Sequence, residues 1–114
     1  MDNSPGASAE AIQVHYDVSN DFYRLWLDET LSYSAALWDG PDDDKDFVAA
    51  QHAKIAWHLA SSTSAKAKRL LDIGFGWGAM LQAASQLPKI EKVVGLTLSN
   101  AQLQYVESLN LEKA

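Results

Sequence analysis

The run Arg69-Leu70-Leu71-Asp72-Ile73, followed by glycines at positions 74, 76 and 78, constrains the fold more than any other stretch of the chain. A short apolar run that ends in glycines reads as a buried strand turning sharply, because glycine reaches the left-handed backbone region without steric cost. Residues 79–87 then carry a helical pattern closed by Pro88, and Val93 to Leu96 form a second apolar run. Strand, helix and strand at that spacing make a βαβ unit, and hence an α/β fold with parallel strands. Ser99 followed three residues later by Gln102 has the capping-box pattern, and Leu103, Val106 and Leu109 give the helix after it an apolar face.

Ahead of this unit the periodicity is helical. Residues 1–8 read as a loose tail, with Ser8 as the cap of a short helix over residues 9–16. Ser19 and Asn20 cap a second helix that runs to Leu27 and places Phe22, Leu25 and Trp26 on one face. A third helix starts near Phe47, carries Val48, His52, Ile55 and Leu59 at helical spacing, and stops in the loop over 61–64. The organisation is therefore a tail (1–8), an N-terminal helical cap segment (9–68) and the start of a Rossmann-like domain (69–114).

Charge and composition exclude several classes. The chain has 15 acidic and 9 basic residues in 114, a net charge of −6, and most of that excess sits in the run from Asp39 to Asp46. No basic footprint for a phosphate backbone exists, which argues against nucleic-acid binding. The acidic run lacks the spacing of an EF-hand loop and reads as a solvated, helix-capping loop. His15, His52 and His58 have no second ligand at metal spacing, so no metal site is expected. Cysteine is absent, which removes disulfides, thiolate sites and cysteine nucleophiles and points to a reducing, cytoplasmic setting. No run approaches the ~20 apolar residues of a membrane span. Two parallel strands with open edges leave the row Leu71, Ile73, Val94 and Leu96 partly uncovered. The expectation is that the chain is the N-terminal part of a larger protein, poorly stable alone and prone to self-association.

The glycine loop has two readings. Gly74, Gly76 and Ala79 satisfy the G-x-G-x-x-G/A pattern of dinucleotide sites. Such a site places a carboxylate ~20 residues on, at the end of the second strand, to hold the ribose hydroxyls. Here that place reads Gly95-Leu96-Thr97-Leu98-Ser99, without one.

Three blocks resemble the cyclopropane-fatty-acid synthase and mycolic-acid methyltransferase family, class I enzymes that use S-adenosylmethionine. They are His15-Tyr16-Asp17-Val18-Ser19-Asn20-Asp21-Phe22-Tyr23, Leu31-Ser32-Tyr33-Ser34-Ala35-Ala36-Leu37-Trp38, and the glycine loop with Gly95-Leu96-Thr97-Leu98-Ser99-Asn100-Ala101-Gln102. The resemblance implies a cofactor loop from Leu70 to Gly78, including Gly74, Phe75, Gly76 and Gly78, with Asp72 near the methionine ammonium. It further implies that Tyr33 and Ser34 touch the cofactor, and that Thr97, Leu98 and Gln102 lie beside its ribose and adenosine. Gln102 could equally serve only as the capping partner of Ser99. Phe75 stands where many members have Cys and needs an apolar pocket. Ala35 stands where cyclopropane synthases often have Cys, which leaves the acceptor open between a lipid acyl chain and a small molecule. No catalytic residue is assigned. A non-catalytic partner-binding piece, using Phe22, Trp26 and Trp38, is the alternative, and an NAD-dependent oxidoreductase is a third.

Overall fold

The computed structural model describes residues 8, 10, 11, 14, 19–62 and 65–114. Ser8 Oγ accepts the Ala11 N–H at 3.1 Å, as a cap would. Most of the helix expected over 9–16, and residues 15–18 of the first family block, lie outside the described residues.

Helix α1 (Asn20–Arg24) begins where Ser19 Oγ accepts the Phe22 N–H at 3.2 Å, and its C-cap is Leu25, so it stops short of the expected Leu27. Its buried face also differs from the expected one. Tyr23 is buried, whereas Phe22, Leu25 and Trp26 are exposed. The reason is distant in sequence: the Tyr23 ring packs on Trp77 with centroids 4.6 Å apart, and the Trp77 indole N–H donates to Asn20 Oδ1 at 2.9 Å.

Downstream, the buried Asp28 carboxylate accepts the Thr30 hydroxyl at 2.9 Å and the backbone N–H groups of Thr30 and Ser32 at 3.2 and 3.3 Å. These bonds hold Leu31 at φ 52°, a left-handed conformation costing ~1–2 kcal/mol for a residue with a Cβ, and turn its side chain into the core with Tyr23 and Trp77.

The acidic run caps the next helix. Asp46 Oδ1 accepts the Ala49 N–H at 2.8 Å at the start of α2 (Phe47–Ser62). Asp43 accepts the Asp39 and Lys45 N–H groups at 2.8 and 3.1 Å and pairs with the Lys45 ammonium. The Asp39 N–H, followed by Lys45, holds its carboxyl down at about 2. Helix α2 buries Ala50, Gln51, Ile55 and Leu59. His52, expected on the apolar stripe, is exposed, because the buried stripe passes through Gln51 instead.

Strand β1 (Arg69–Ile73) pairs in parallel with β2 (Lys92–Leu96), Arg69 opposite Lys92 and Ile73 opposite Leu96. Helix α3 (Ala79–Ser85) connects them and ends two residues before the expected Leu87; α4 (Asn100–Ser108) follows β2. Helix α3 packs against both strands and against α2. The main core joins Ile55 and Leu59 of α2 to Phe75, Leu81, Ala84, Ile90, Val93 and Val106, so the helical segment and the βαβ unit share one apolar interior. Leu71, Ile73 and Leu96 are 56%, 75% and 52% exposed, in line with the uncovered row that the sequence predicts.

Phe75 finds the apolar pocket its size demands. It is buried, and room for it comes from Gly95, where a Cβ would meet Phe75 Cδ1 at 2.4 Å and Leu81 Cδ1 at 2.7 Å. Gly95→Ala is therefore expected to lower stability by about 1–3 kcal/mol through overpacking. Phe75→Ala should destabilise alone yet combine with Gly95→Ala less than additively. Thermal melts of the two single variants and the double variant check this, and strict additivity would contradict the contact.

Candidate cofactor site

A cavity of about 780 Å3 opens at the C-terminal ends of β1 and β2, where parallel α/β sheets place their ligands. Three separate stretches line it: Ser32 to Ser34, Asp72 to Trp77, and Leu96 to Leu98 with Gln102. Helix α2 adds Lys54, Ile55 and His58. Tyr33, Ser34, Asp72, Gly74, Phe75, Gly76, Thr97, Leu98 and Gln102, all singled out from sequence, thus meet at one cavity. Gly78 does not line it. Its φ is 85°, and a Cβ there would sit 2.8 Å from Val106 Cγ2; this glycine lets α4 approach the loop.

Local bonds fix each stretch. The Gly74 N–H donates to the Leu96 carbonyl at 2.7 Å and fastens the glycine loop to the end of β2. Ser99 Oγ accepts the Gln102 N–H at 3.2 Å, which is half of a capping box. The other half is replaced: the Ser99 N–H donates to Thr97 Oγ1 at 3.1 Å, and the Thr97 hydroxyl donates to Gln102 Oε1 at 3.4 Å. Gln102 therefore caps through its backbone and holds Thr97 through its side chain.

Ser32 to Ser34 is strapped down by α2. Gln51 is fully buried, and its Nε2 donates to the Ser32 carbonyl at 3.4 Å and the Ser34 carbonyl at 3.0 Å, one on each side of Tyr33. Lys54 Nζ donates to Ser34 Oγ at 2.7 Å and to the Ser34 carbonyl at 3.4 Å. The Tyr33 ring meets Trp26 and Tyr23 at centroid distances of 5.6 and 5.9 Å, both edge-on. Sequence reasoning missed Ser32, Gln51, Lys54 and His58. Gln51 had a readable signal, since positions 51, 55 and 59 share one helical stripe with only the first polar. Lys54 and His58 had none.

Burial raises the Asp72 carboxyl above its ordinary range, against a smaller opposing pull from His58. Burial likewise lowers the Lys54 ammonium, with Asp28 opposing. Among the described residues no group of side chains could hold a metal ion, and no helix is long and apolar enough to cross a membrane.

The parallel βαβ unit with a glycine turn facing this cavity is a Rossmann-like arrangement, and the solved structures it superposes on are class I methyltransferases. Coclaurine N-methyltransferase bound to N-methylheliamine and SAH superposes with a TM-score of 0.77 over 91% of this chain and 31% of that one, at 21% identity, a likeness of fold. The family model described as mycolic acid cyclopropane synthetase matches residues 3–113. The chain belongs to that family. It is 43% identical over 98 residues to cyclopropane mycolic acid synthase 1 of Mycobacterium tuberculosis, covering 86% of this chain and 33% of the relative. It is 42% identical over 96 residues to cyclopropane mycolic acid synthase 2 of Mycobacterium leprae, covering 84% and 30%. Mycolic acid cyclopropane synthase CmaA1, solved in complex with SAH and CTAB, superposes with a TM-score of 0.81 at 41% identity over 90% of this chain and 35% of that one. The chain spans about a third of the length of these relatives.

Two outcomes follow from the geometry. Gln51→Leu leaves the Ser32 and Ser34 carbonyls without their donor and should cost about 1–3 kcal/mol, with amide exchange accelerating in residues 31–35; unchanged exchange there would contradict the strap. For Asp72, a native pKa above the unfolded value of 3.8 means that the native state holds the proton more tightly. Stability is then lost as pH rises through that window. Asp72→Asn should raise the melting temperature at pH 7, and the gain should vanish as the pH falls below 3.8. A melting temperature lowered at neutral pH would overturn the desolvation argument.

Proposed function

We propose that the protein binds S-adenosylmethionine in this cavity and contributes it to methyl transfer onto a lipid acyl chain or a small molecule. The observation that carries the reading is the convergence of Tyr33 and Ser34, the Asp72 to Trp77 loop, and Thr97, Leu98 and Gln102 on one cavity. These are the stretches by which the sequence resembles the family. The donor set suits the ligand: Asp72 offers a desolvated carboxylate to a cationic group, Thr97 and Gln102 offer polar atoms to a ribose, and Leu96, Leu98 and Ile73 offer apolar surface to a base. The volume also lies within the usual range of small-molecule sites. The relative solved with SAH and CTAB supports both the cofactor and an acyl-type acceptor.

S-adenosylmethionine supplies an activated methyl group on a sulfonium, so the chain's own task is alignment and exclusion of water. Tyr33 and Ser34 close one wall, held by Gln51 and Lys54. Gly74 and Gly76 let the backbone approach a ligand closely. The NAD reading lacks its carboxylate, because β2 runs into Thr97 and Leu98. A cytoplasmic setting is part of the proposal, supported by the absence of cysteine. Self-association is a further part, supported by the exposed Leu71 and Ile73.

Titration calorimetry with S-adenosylhomocysteine tests the reading. Gly76 has φ 57° and nothing within 4 Å of where a Cβ would stand, so Gly76→Val adds both left-handed strain and bulk at the loop. The wild type should bind, NAD should not compete, and Gly76→Val should lose at least about tenfold in affinity, the equivalent of ~1.4 kcal/mol. Unchanged affinity in a folded Gly76→Val variant would remove the loop from the site.

A further inference from the structure

The cavity holds one cation and one anion that are not paired with each other or with any other ionic group among the described residues. Lys54 reaches it from α2, with Nζ on Ser34 Oγ at 2.7 Å; Asp72 reaches it from β1. Neither belongs to any of the ion pairs formed by the described residues, which join Arg24 to Asp21, Lys45 to Asp39 and Asp43, His52 to Glu29, and Lys68 to Glu91. A half-buried ammonium and a half-buried carboxylate ordinarily find counter-charges, since desolvating an unpaired charge is unfavourable. Burial has moved both groups toward their neutral forms, Lys54 downward and Asp72 upward, and the longer-range pulls of Asp28 on Lys54 and of His58 on Asp72 do not offset it.

We propose that Lys54 binds the α-carboxylate of the ligand's amino-acid head, whose α-ammonium the family resemblance already sets near Asp72, making this end of the cavity a receptor for a zwitterion. Geometry favours this division. The Lys54 ammonium has three donors and directs bonds only to Ser34, leaving donor capacity for a carboxylate beside the Tyr33–Ser34 stretch. Ser34 Oγ accepts from Lys54 and so fixes the long lysine stem, which reduces the rotamer entropy lost when the ligand arrives. Lys54 and Ser34 thus act as one unit, and the strap made by Gln51 keeps that unit in place.

This inference rests on the S-adenosylmethionine reading and can fail separately from it. Two probes differ in the group concerned: S-adenosylhomocysteine carries the amino-acid head, and 5′-methylthioadenosine has the same nucleoside without it. Both are titrated calorimetrically into the wild type, Lys54→Met and Lys54→Arg. Lys54→Met should weaken S-adenosylhomocysteine about tenfold or more, as loss of a charge-assisted bond does, and leave 5′-methylthioadenosine within about twofold. That second ligand also reports whether the variant is folded. Lys54→Arg, which keeps the charge, should recover most of the affinity for S-adenosylhomocysteine. Equal losses for both probes would make Lys54 only a prop for Ser34 and overturn the proposal, as would no loss for either. A wild type that binds neither probe would overturn the cofactor reading and this inference together.

Discussion

Burial of the Trp77 indole holds the candidate site together. Its ring packs on Tyr23 and its N–H donates to Asn20 Oδ1 at 2.9 Å, across 57 residues of chain. One side chain of the glycine loop is thereby fixed to the first described helix. A buried indole brings a large apolar surface together with a single donor that must be satisfied, so it specifies both the distance and the orientation of its partner. Tyr33 inherits its place from the same cluster, because its ring rests edge-on against Tyr23 and Trp26. If Trp77 were not buried, the Tyr33–Ser34 stretch would lose its aromatic footing and the cavity one wall.

The second constraint is polar and comes from α2. Gln51 and Lys54 lie on adjacent turns of one helix and take hold of the same short stretch, the first through backbone carbonyls and the second chiefly through the Ser34 hydroxyl. Gln51 is entirely buried, and its Oε1 has no partner among the described residues. Burying an amide with one unpaired atom carries a desolvation cost, which its two hydrogen bonds to the Ser32 and Ser34 carbonyls offset. Its retention makes sense as the means of placing two carbonyls and the tyrosine between them. Charge follows the same logic: Asp72 and Lys54 are both desolvated in the cavity, which sacrifices stability for a site ready to meet a ligand.

Much of this was legible in the sequence because it is local. Strand β1 has the bounds that its apolar run and glycines predict, β2 is longer by Lys92 alone, and the serine caps of α1 and α4 accept the expected N–H groups. Nine of the ten residues singled out for a cofactor line one cavity. The errors share a physical origin in contacts distant along the chain. The α1 face was misread because the burial of Tyr23 depends on Trp77, and His52 was placed on the apolar stripe because positions 52, 55 and 59 and positions 51, 55 and 59 both have helical spacing, and only the contacts of Gln51 with Ser32 and Ser34 select the second. Gly78, the tenth, is not among the lining residues and gives room to Val106, a contact distant along the chain that its local sequence does not announce. Lys54 escaped notice because its partner, Ser34, is 20 residues away.

The central claim is that three separate stretches of the chain form one adenosylmethionine site. Hydrogen–deuterium exchange with and without saturating S-adenosylhomocysteine tests it most directly. On this account the ligand slows exchange in residues 31–35, 73–79 and 96–102 together, with one common concentration dependence. Exchange in residues 39–46, which the acidic loop occupies away from the cavity, should not change. Protection confined to the glycine loop, or none in the Tyr33–Ser34 stretch, would contradict it.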